Sequence, residues 1–212
     1  MKTIIINASP RKNMNTAQLL KEAQKGVEAA GGSAEYFDLY DVACAGCRSC
    51  LACKRKGVDE PSVCRWKDGL TPILDRIRAA DRLIVGSPVY FGQTTSQFHA
   101  LMERVCFPAL SYNDYSSTFK GRIDVDVFLT MNASGPFYKE HYAEKFRSEF
   151  APFHFLNGTT NVHAFCDTLQ VKDYSLYDMA GFSEEHKRAV HTAQFPADLK
   201  RAFEIGADFS KG

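Results

Sequence analysis

Two kinds of hydrophobic pattern alternate along this chain. Short continuous apolar runs are typical of strands that are buried on both faces of a parallel sheet. Longer segments repeat apolar residues every three to four positions, which is typical of amphipathic helices. The continuous run at 3–6 and further segments rich in apolar residues predict strands near 3–6, 34–39, 82–86, 123–131 and 162–165. The periodic segments predict helices near 15–30, 70–80, 97–105, 138–150 and 184–209, the last with a break at Pro196.

The alternation of strands and helices defines the expected fold class. Over 212 residues it predicts an α/β protein with a doubly wound, five-stranded parallel sheet in flavodoxin-like order. We expect one domain over residues 1–212, with a cysteine-rich insertion at about 42–68. This length is sufficient for a sizeable hydrophobic core.

Charge and hydropathy exclude several classes of function. The formal net charge is +1, and charges of both signs are mixed along the chain, which argues against a nucleic-acid or acidic-membrane surface. No apolar run approaches the roughly 20 residues of a membrane span. Lys2 and Thr3 lead into a strand rather than a signal peptide. We therefore expect a cytoplasmic protein that binds neither nucleic acid nor membrane.

The first predicted strand is followed by a polar turn at residues 7–14. This turn carries hydroxyl, amide and cationic side chains, and Asn15 or Thr16 is expected to cap the next helix. Because a helix N-terminus presents unpaired N–H groups, hydroxyls and an Arg at this point predict a phosphate site. A polar loop that merely caps its helix is the alternative from this turn alone.

Missing glycines restrict the kind of phosphate. Dinucleotide-binding turns carry G-x-G-x-x-G, and P-loops carry G-x-x-x-x-G-K-[ST]. No Gly occurs between Met1 and Lys25, so both motifs are disfavoured, and Asp38 is interpreted as an ordinary strand-end residue. Hydroxyl, amide and Arg donors suit a terminal phosphomonoester, whose oxygens accept many hydrogen bonds.

A second turn, at residues 87–93 (SPVYFGQ), carries two aromatic rings. It directly follows the predicted third strand, and ligands of such sheets lie outside the C-terminal ends of the strands. Tyr90 and Phe91 would wall a flat ring system, and Gly92 would let backbone N–H groups approach it. The alternative is an aromatic loop packed on its own helix. A phosphomonoester site beside a planar-ring site describes a mononucleotide, and FMN fits best.

These two loops resemble the FMN-binding loops of the flavodoxin-like NAD(P)H-dependent FMN reductase family, including its iron-sulfur flavoprotein branch. The similarity runs from Ile4 to about Phe107 and returns at residues 194–199. The resemblance implies a phosphate loop, an isoalloxazine loop and a third flavin loop at residues 130–135. The residues that it implies are Ser9, Arg11, Asn13, Asn15 and Thr16 for the phosphate, Pro88, Val89, Tyr90, Phe91 and Gly92 for the ring, and Thr130, Asn132 and Gly135 for the third loop.

The resemblance also implies a reaction. NADPH or NADH would pass a hydride to FMN, and the electrons would go on to a quinone, a flavin, a nitro compound or another small acceptor. Such a transfer depends on stacking and orientation of the two rings. We therefore predict no catalytic acid–base residue, and none of His99, His141 and His163 is expected to be essential. A homo-oligomer, either a dimer or a tetramer, is expected from the family.

Five of the seven cysteines lie in one short segment. Cys44, Cys47, Cys50 and Cys53 are spaced by three, and Cys64 follows after ten further residues. Disulfides are rare in cytosolic chains, so the spacing predicts a metal site or cluster. The two isolated cysteines, Cys106 and Cys166, are interpreted as small residues in or beside the core.

The kind of metal site stays open at this point. The ferredoxin run C-x2-C-x2-C-x3-C-P is absent. Resemblance to the iron-sulfur flavoproteins implies a [4Fe-4S] cluster held by Cys64 together with either Cys44, Cys47 and Cys50 or Cys47, Cys50 and Cys53. Empty thiols, a zinc site with cysteine ligands only and thiol redox chemistry are the alternatives.

Two functions therefore compete. The first is an enzyme, an NAD(P)H-dependent FMN reductase that delivers electrons to a small-molecule acceptor. The second is an electron carrier that relays electrons between FMN, a [4Fe-4S] cluster and protein partners such as a ferredoxin-like protein.

Overall fold

A parallel β-sheet forms the centre of the protein, which is described here over residues 1–209 of a computed structural model. Its five strands lie in the order β2-β1-β3-β4-β5, and all neighbours are parallel. This is the doubly wound, flavodoxin-like arrangement expected from the sequence, which is thereby confirmed. The strands are β1 (Lys2–Asn7), β2 (Ser33–Asp38), β3 (Arg82–Pro88), β4 (Ile123–Thr130) and β5 (Asn157–Phe165).

Helices cover both faces of the sheet. The helices are α1 (Asn15–Ala29), α2 (Thr71–Arg78), α3 (Ser96–Ala109), α4 (Gly135–Phe137), α5 (Ala143–Glu149) and α6 (Glu184–Ala207). One core layer lies between the sheet and helices α1 and α6, and the other lies between the sheet and helices α2, α3 and α5. A π-helical segment, Tyr138–Tyr142, joins α4 to α5, and 3₁₀ turns occur at Leu39–Asp41, Ala52–Lys54, Ala151–Leu156 and Tyr174–Leu176. None of the helices within residues 1–209 has the length and apolar character needed to cross a bilayer.

Two predicted boundaries are wrong. Helix α6 continues through Pro196 instead of breaking there, since its buried residues Phe195 and Ala202 pack in the same core layer as α1. Strand β5 begins at Asn157 rather than Val162. The early part of β5 lies at the edge of the sheet and is polar and only half-buried, so it lacks the apolar run that marks the central strands.

Candidate functional site

A cleft lies at the C-terminal ends of β1, β3 and β4, where the turns at residues 7–14 and 87–93 meet the loop at residues 130–135. We call these three segments the first, second and third loops. This is where an open α/β sheet places its ligands, next to the point at which the strand order reverses. The cleft is narrow, about 70 Å³. It is lined by Arg11, Asn15, Pro88, Val89, Tyr90, Thr130, Met131, Asn132, Thr168 and Gln170.

Asn7, at the end of β1, organises the first loop. Its Oδ1 accepts a hydrogen bond from the Ser9 N–H at 3.1 Å, and its Nδ2 donates to Asp38 Oδ1 at 2.8 Å. Ser9 Oγ in turn accepts from the Arg11 N–H at 3.2 Å. Asp38, interpreted from sequence as an ordinary strand-end residue, thus anchors this loop through Asn7.

The N-terminus of α1 points into the first loop without a side-chain cap. The N-cap residue is Met14, and no side chain among residues 1–209 caps it, so the expectation that Asn15 or Thr16 caps the helix is wrong. Both side chains are used elsewhere: Asn15 Nδ2 donates to the carbonyl of Leu169 at 2.8 Å, and Thr16 Oγ1 lies 2.7 Å from Thr130 Oγ1. The first-turn N–H groups are therefore left available to an anion.

The second loop contains a tight turn from Tyr90 to Gln93. These two residues exchange backbone hydrogen bonds of 2.8 and 3.0 Å. Phe91 and Gly92, at the centre of the turn, have φ of 51° and 70°. Gly92 therefore has a backbone conformation that favours glycine, and an added Cβ would also lie close to the Tyr142 ring, at 3.0 Å. The turn leaves Tyr90 beside the cleft and Phe91 fully exposed.

Thr95 ties the first two loops together. Its Oγ1 donates to the carbonyl of Ala8 at 2.8 Å, and its N–H donates to Ser87 Oγ at 3.0 Å. The N–H of Val89 donates to the carbonyl of Thr130 at 2.9 Å, which attaches the second loop to the third. The three loops are thus held in fixed relative positions by buried hydrogen bonds.

Two buried amide oxygens beside the cleft lack hydrogen-bond donors. Asn132 Oδ1 and Gln170 Oε1 are both buried, and neither has a hydrogen-bond partner in the described part of the chain. Buried polar atoms in native proteins are normally satisfied. A ligand with N–H donors, such as a flavin ring, would supply what these oxygens lack, so the residues present fit FMN.

Seven of the thirteen predicted cofactor residues line the cleft. These are Arg11, Asn15, Pro88, Val89, Tyr90, Thr130 and Asn132. The remaining six, which are not among the lining residues of this cleft, are Ser9, Asn13, Thr16, Phe91, Gly92 and Gly135. Of these, Gly135 lies in a separate cleft of about 670 Å³ beside β5.

Sequence reasoning missed the contribution of residues 168–170. Thr168 and Gln170 line the cleft, and the carbonyl of Gln170 accepts a hydrogen bond from Arg11 Nη1. These three residues lie in the connection between β5 and α6, outside any helix or strand. Because they have neither periodicity nor a motif, no signal in the sequence marks them.

Four of the five clustered cysteines line one small cavity: Cys47, Cys50, Cys53 and Cys64. Arg104 of α3, only 2% exposed, reaches into this segment, with Nε 3.0 Å from Cys64 Sγ and with Nη1 2.7 Å from Asp68 Oδ2. Burial alone would raise the pKa of Asp68, but hydrogen bonding to Arg104 and to two backbone N–H groups holds it below its usual value. Arg104 is therefore the buried cation around which the segment folds.

Cys44 is not among the lining residues of the described cavity. Like Cys64, it packs against the main core layer. Burial raises the pKa of both the Cys44 and the Cys53 thiols. Within residues 1–209, no group of three or more His, Cys, Asp or Glu side chains is arranged so that it could hold a metal ion. The donor set suits a cluster chemically, but its present arrangement does not.

The three histidines considered from sequence have structural partners. His163 Nε2 lies 2.7 Å from Asp126 Oδ1, and His99 Nε2 lies 3.1 Å from Thr94 Oγ1. The ring of His141 packs against that of Phe137 in a tilted arrangement, with ring centroids 4.4 Å apart. None of them is among the residues that line the cleft of the described chain. That they are dispensable for flavin reduction stays a prediction.

The fold and the cleft define a flavodoxin-like α/β protein. The chain belongs to the NADPH-dependent FMN reductase family, whose model matches residues 1–146.

Curated relatives carry the name iron-sulfur flavoprotein. One from Methanocaldococcus jannaschii is 38% identical over 104 residues, which is 49% of this chain and 51% of that protein. One from Archaeoglobus fulgidus is 34% identical over 104 residues, covering 49% of this chain and 48% of that protein. The chain thus spans about half the length of these curated relatives.

Solved structures share the fold over nearly the whole chain. An NAD(P)H:quinone oxidoreductase from Methanothermobacter marburgensis has a TM-score of 0.72 at 18% identity, with 98% of each chain covered. An azoreductase from Bacillus anthracis has a TM-score of 0.67 at 13% identity, covering 98% of this chain and 99% of that one. At these identities the likeness concerns the fold.

Proposed function

We propose that the protein is an FMN-dependent oxidoreductase that takes a hydride from NADPH or NADH and delivers the electrons to a small acceptor such as a quinone, a flavin or a nitro compound. The observation that carries this proposal is the cleft at the strand ends. An uncapped helix N-terminus and Arg11 lie at one end, and Pro88, Val89 and Tyr90 form a wall next to it.

The chain's own residues would bind and orient the cofactor. Bound FMN would supply hydride acceptance and onward electron transfer, which no protein side chain provides. Arg11 would exchange the carbonyl of Gln170 for the phosphate, and the first-turn N–H groups of α1 would complete that site. Tyr90 would flank the ring system, and the amide oxygen of Asn132 or Gln170 would accept a hydrogen bond from the ring N–H.

The electron acceptor, the oligomeric state and the cellular location belong to the same proposal. Solved proteins with this fold include a quinone oxidoreductase and an azoreductase, and both names support a small oxidised acceptor. We also propose a homo-oligomer in a reducing, cytoplasmic setting, where thiols such as the seven free cysteines persist. The exposed rings of Tyr112 and Tyr115 would lie at the contacts between subunits. Light scattering tests this by comparing the oligomeric state of wild type with that of a variant in which both tyrosines are replaced by Ser.

The phosphate end of the cleft is tested with Arg11→Met. Loss of a charge-assisted hydrogen bond is expected to weaken the binding of FMN by about 2 kcal/mol, which corresponds to roughly a 30-fold rise in Kd. Riboflavin, which lacks the phosphate, should bind Arg11→Met as it binds wild type. Flavin fluorescence titration measures both ligands.

Lys12 provides the matched control. Its ammonium pairs with the Asp41 carboxylate at 2.5 Å on the surface, and it is not a lining residue of the cleft in the described chain. Lys12→Met should leave the Kd of FMN unchanged. If Arg11→Met also left it unchanged, or weakened riboflavin equally, the first loop would not be the phosphate site.

We propose as a second candidate an electron relay in which the cysteine segment holds a [4Fe-4S] cluster. The observation that favours it is that Cys47, Cys50, Cys53 and Cys64 share one cavity. The names of the curated relatives support it as well. These thiols would have to converge further to act as ligands.

Serine variants of Cys64 and Cys44 test the ligand set. After anaerobic reconstitution, wild type and Cys44→Ser should carry about four iron atoms per chain, as the cluster formula requires, whereas Cys64→Ser should lose most of them. Iron and sulfide analysis gives the readout. If wild type held no iron, the relay proposal would be wrong. If Cys44→Ser and Cys64→Ser lost equal amounts of iron, this set of ligands would be wrong. Flavin bleaching by reduced ferredoxin but not by NADPH or NADH would favour the relay over the enzyme.

A further inference from the structure

Lys187 is an unusual side chain for a surface helix, because it is only 5% exposed in the first turns of α6. Lysine is rarely buried unless its ammonium is paired. Here Nζ donates to the backbone carbonyl of Asn132 at 2.8 Å and also to the Asp167 carboxylate. The ammonium is thus held directly behind the third loop of the cleft.

The neighbouring carbonyls of that loop are held from the same side. The carbonyl of Met131 accepts from the N–H and the hydroxyl of Thr168 at 3.0 and 3.1 Å. The carbonyl of Ala133 accepts from the Asp167 N–H at 2.8 Å. Three successive carbonyls, those of Met131, Asn132 and Ala133, are therefore engaged by residues 167, 168 and 187.

This arrangement determines where the loop's N–H groups point. In a trans peptide the C=O and the following N–H are antiparallel, so the N–H groups of Asn132, Ala133 and Ser134 are turned away from residues 167–187. None of the three has an acceptor within the described residues. Unpaired backbone N–H groups carry partial positive charge and so favour a negatively charged or hydrogen-bond-accepting ligand in front of them.

The charges behind the loop are arranged around Asp167. Burial alone would raise the pKa of this carboxyl, but hydrogen bonds from Lys187 and His186 hold it below its usual value. His186 Nε2 lies 2.7 Å from Asp167 Oδ2 and is exposed. The carboxylate therefore keeps the ammonium in place and offsets part of its charge.

We propose that Lys187 is a positioning residue for the flavin: it fixes the carbonyl of Asn132 so that the loop's N–H groups remain free for the cofactor, and it adds positive charge behind them. This inference rests on the proposed FMN site. Because reduction of bound FMN adds negative charge, Lys187 stabilises the reduced cofactor more than the oxidised one and raises its reduction potential.

Lys187→Met and Asp167→Asn test this in the FMN-loaded protein, and the Kd for FMN and the two-electron midpoint potential are the readouts. Lys187→Met should raise the Kd of oxidised FMN at least tenfold and should raise the Kd of reduced FMN by a further factor of ten. The midpoint potential should therefore fall by about 30 mV. Asp167→Asn retains the ammonium and the Asp167 N–H, and it should raise the potential. Lys200→Met, on the exposed face of α6, is the control and should change neither readout.

An equal loss of affinity for oxidised and reduced FMN in Lys187→Met would show a purely structural lysine and would overturn the proposal. If that variant fails to fold, an unchanged potential in Asp167→Asn overturns it as well. Lys187→Arg, which keeps the charge, should recover most of the potential. Failure of wild type itself to bind FMN would instead contradict the proposed function, so the two failures are distinguishable.

Discussion

Single buried polar side chains hold the loops of the cleft in place. Asn7, Thr95 and Lys187 each bond to a backbone group of a cleft loop, and each is buried. Hydrogen bonds of this kind contribute only about 1 kcal/mol each to stability, but leaving one partner buried and unsatisfied costs more. Their main effect is therefore to specify one loop geometry.

A buried ion pair inside the sheet stabilises the fold away from the cleft. Arg82 Nη2 of β3 lies 2.6 Å from Asp126 Oδ2 of β4, and the other oxygen of that carboxylate lies 2.7 Å from His163 Nε2. Arg82 also donates to the carbonyls of Ile205 and Gly206 at the end of α6. Asp126→Asn should therefore cost about 3–5 kcal/mol of unfolding free energy at pH 7, measured by urea denaturation, since a buried guanidinium loses its counter-ion.

The effect of Asp126→Asn should depend on pH. Burial alone would raise the pKa of Asp126, but the His163 hydrogen bond and the Arg82 charge hold it below its usual value. The carboxylate therefore stabilises the fold above its unfolded-state pKa of about 4, and this contribution is lost as the pH falls through the folded-state pKa. The stability gap between wild type and Asp126→Asn should narrow at pH 3. A constant gap, or a similar loss in the exposed control Asp75→Asn, would contradict this account.

Helices α1 and α6 pack unusually closely on one face of the sheet. A Cβ on Gly26 of α1 would lie 2.1 Å from the carbonyl oxygen of Phe203 in α6, and one on Gly206 would lie 2.0 Å from that of Ala23. Glycine is thus required at this crossing for space. The contact fixes the helix whose N-terminus forms part of the cleft.

Gly26→Ala tests this helix crossing. Alanine is the better helix former by about 1 kcal/mol, yet the clash with backbone should outweigh that gain, and we expect a net loss of about 1–3 kcal/mol. Thermal and urea unfolding give the measurement. Gly181→Ala, at a position with nothing within 4 Å of the added Cβ, should be neutral. A Gly26→Ala variant as stable as wild type would show that the helices separate readily.

The helices and strands that can be predicted from sequence are those whose buried residues follow a regular pattern along the chain. The largely apolar runs of β1, β3 and β4 match strands that are buried over all or nearly all of their length, and the predicted sheet order is the observed one. Edge strand β5 has no such run. The absence of a side-chain cap on α1 was also missed. Asn15 and Thr16 are residue types that often cap helices, but here their side chains hydrogen-bond to Leu169 and Thr130. Those partners are distant in sequence, so only the fold reveals them.

At the scale of the whole molecule, the sheet brings three distant loops to one edge. Arg11, Tyr90 and Asn132 come from three different strand ends and line one cleft. The irregular segment after β5 then closes that cleft with Thr168 and Gln170. The first two loops carry motifs, so they indicated an FMN site from sequence alone. Residues 168–170 carry no motif, so their place in the cleft could not be predicted from sequence.

The most direct test of the central claim is an anaerobic absorption experiment on the protein loaded with one equivalent of FMN. NADPH or NADH, added in stoichiometric amount, should bleach the visible absorption band of the flavin, and a quinone added afterwards should restore it. The Arg11→Met protein at the same concentrations should retain less FMN. Failure of wild type to retain FMN, or a bound flavin that neither nicotinamide reduces, would contradict the proposed function.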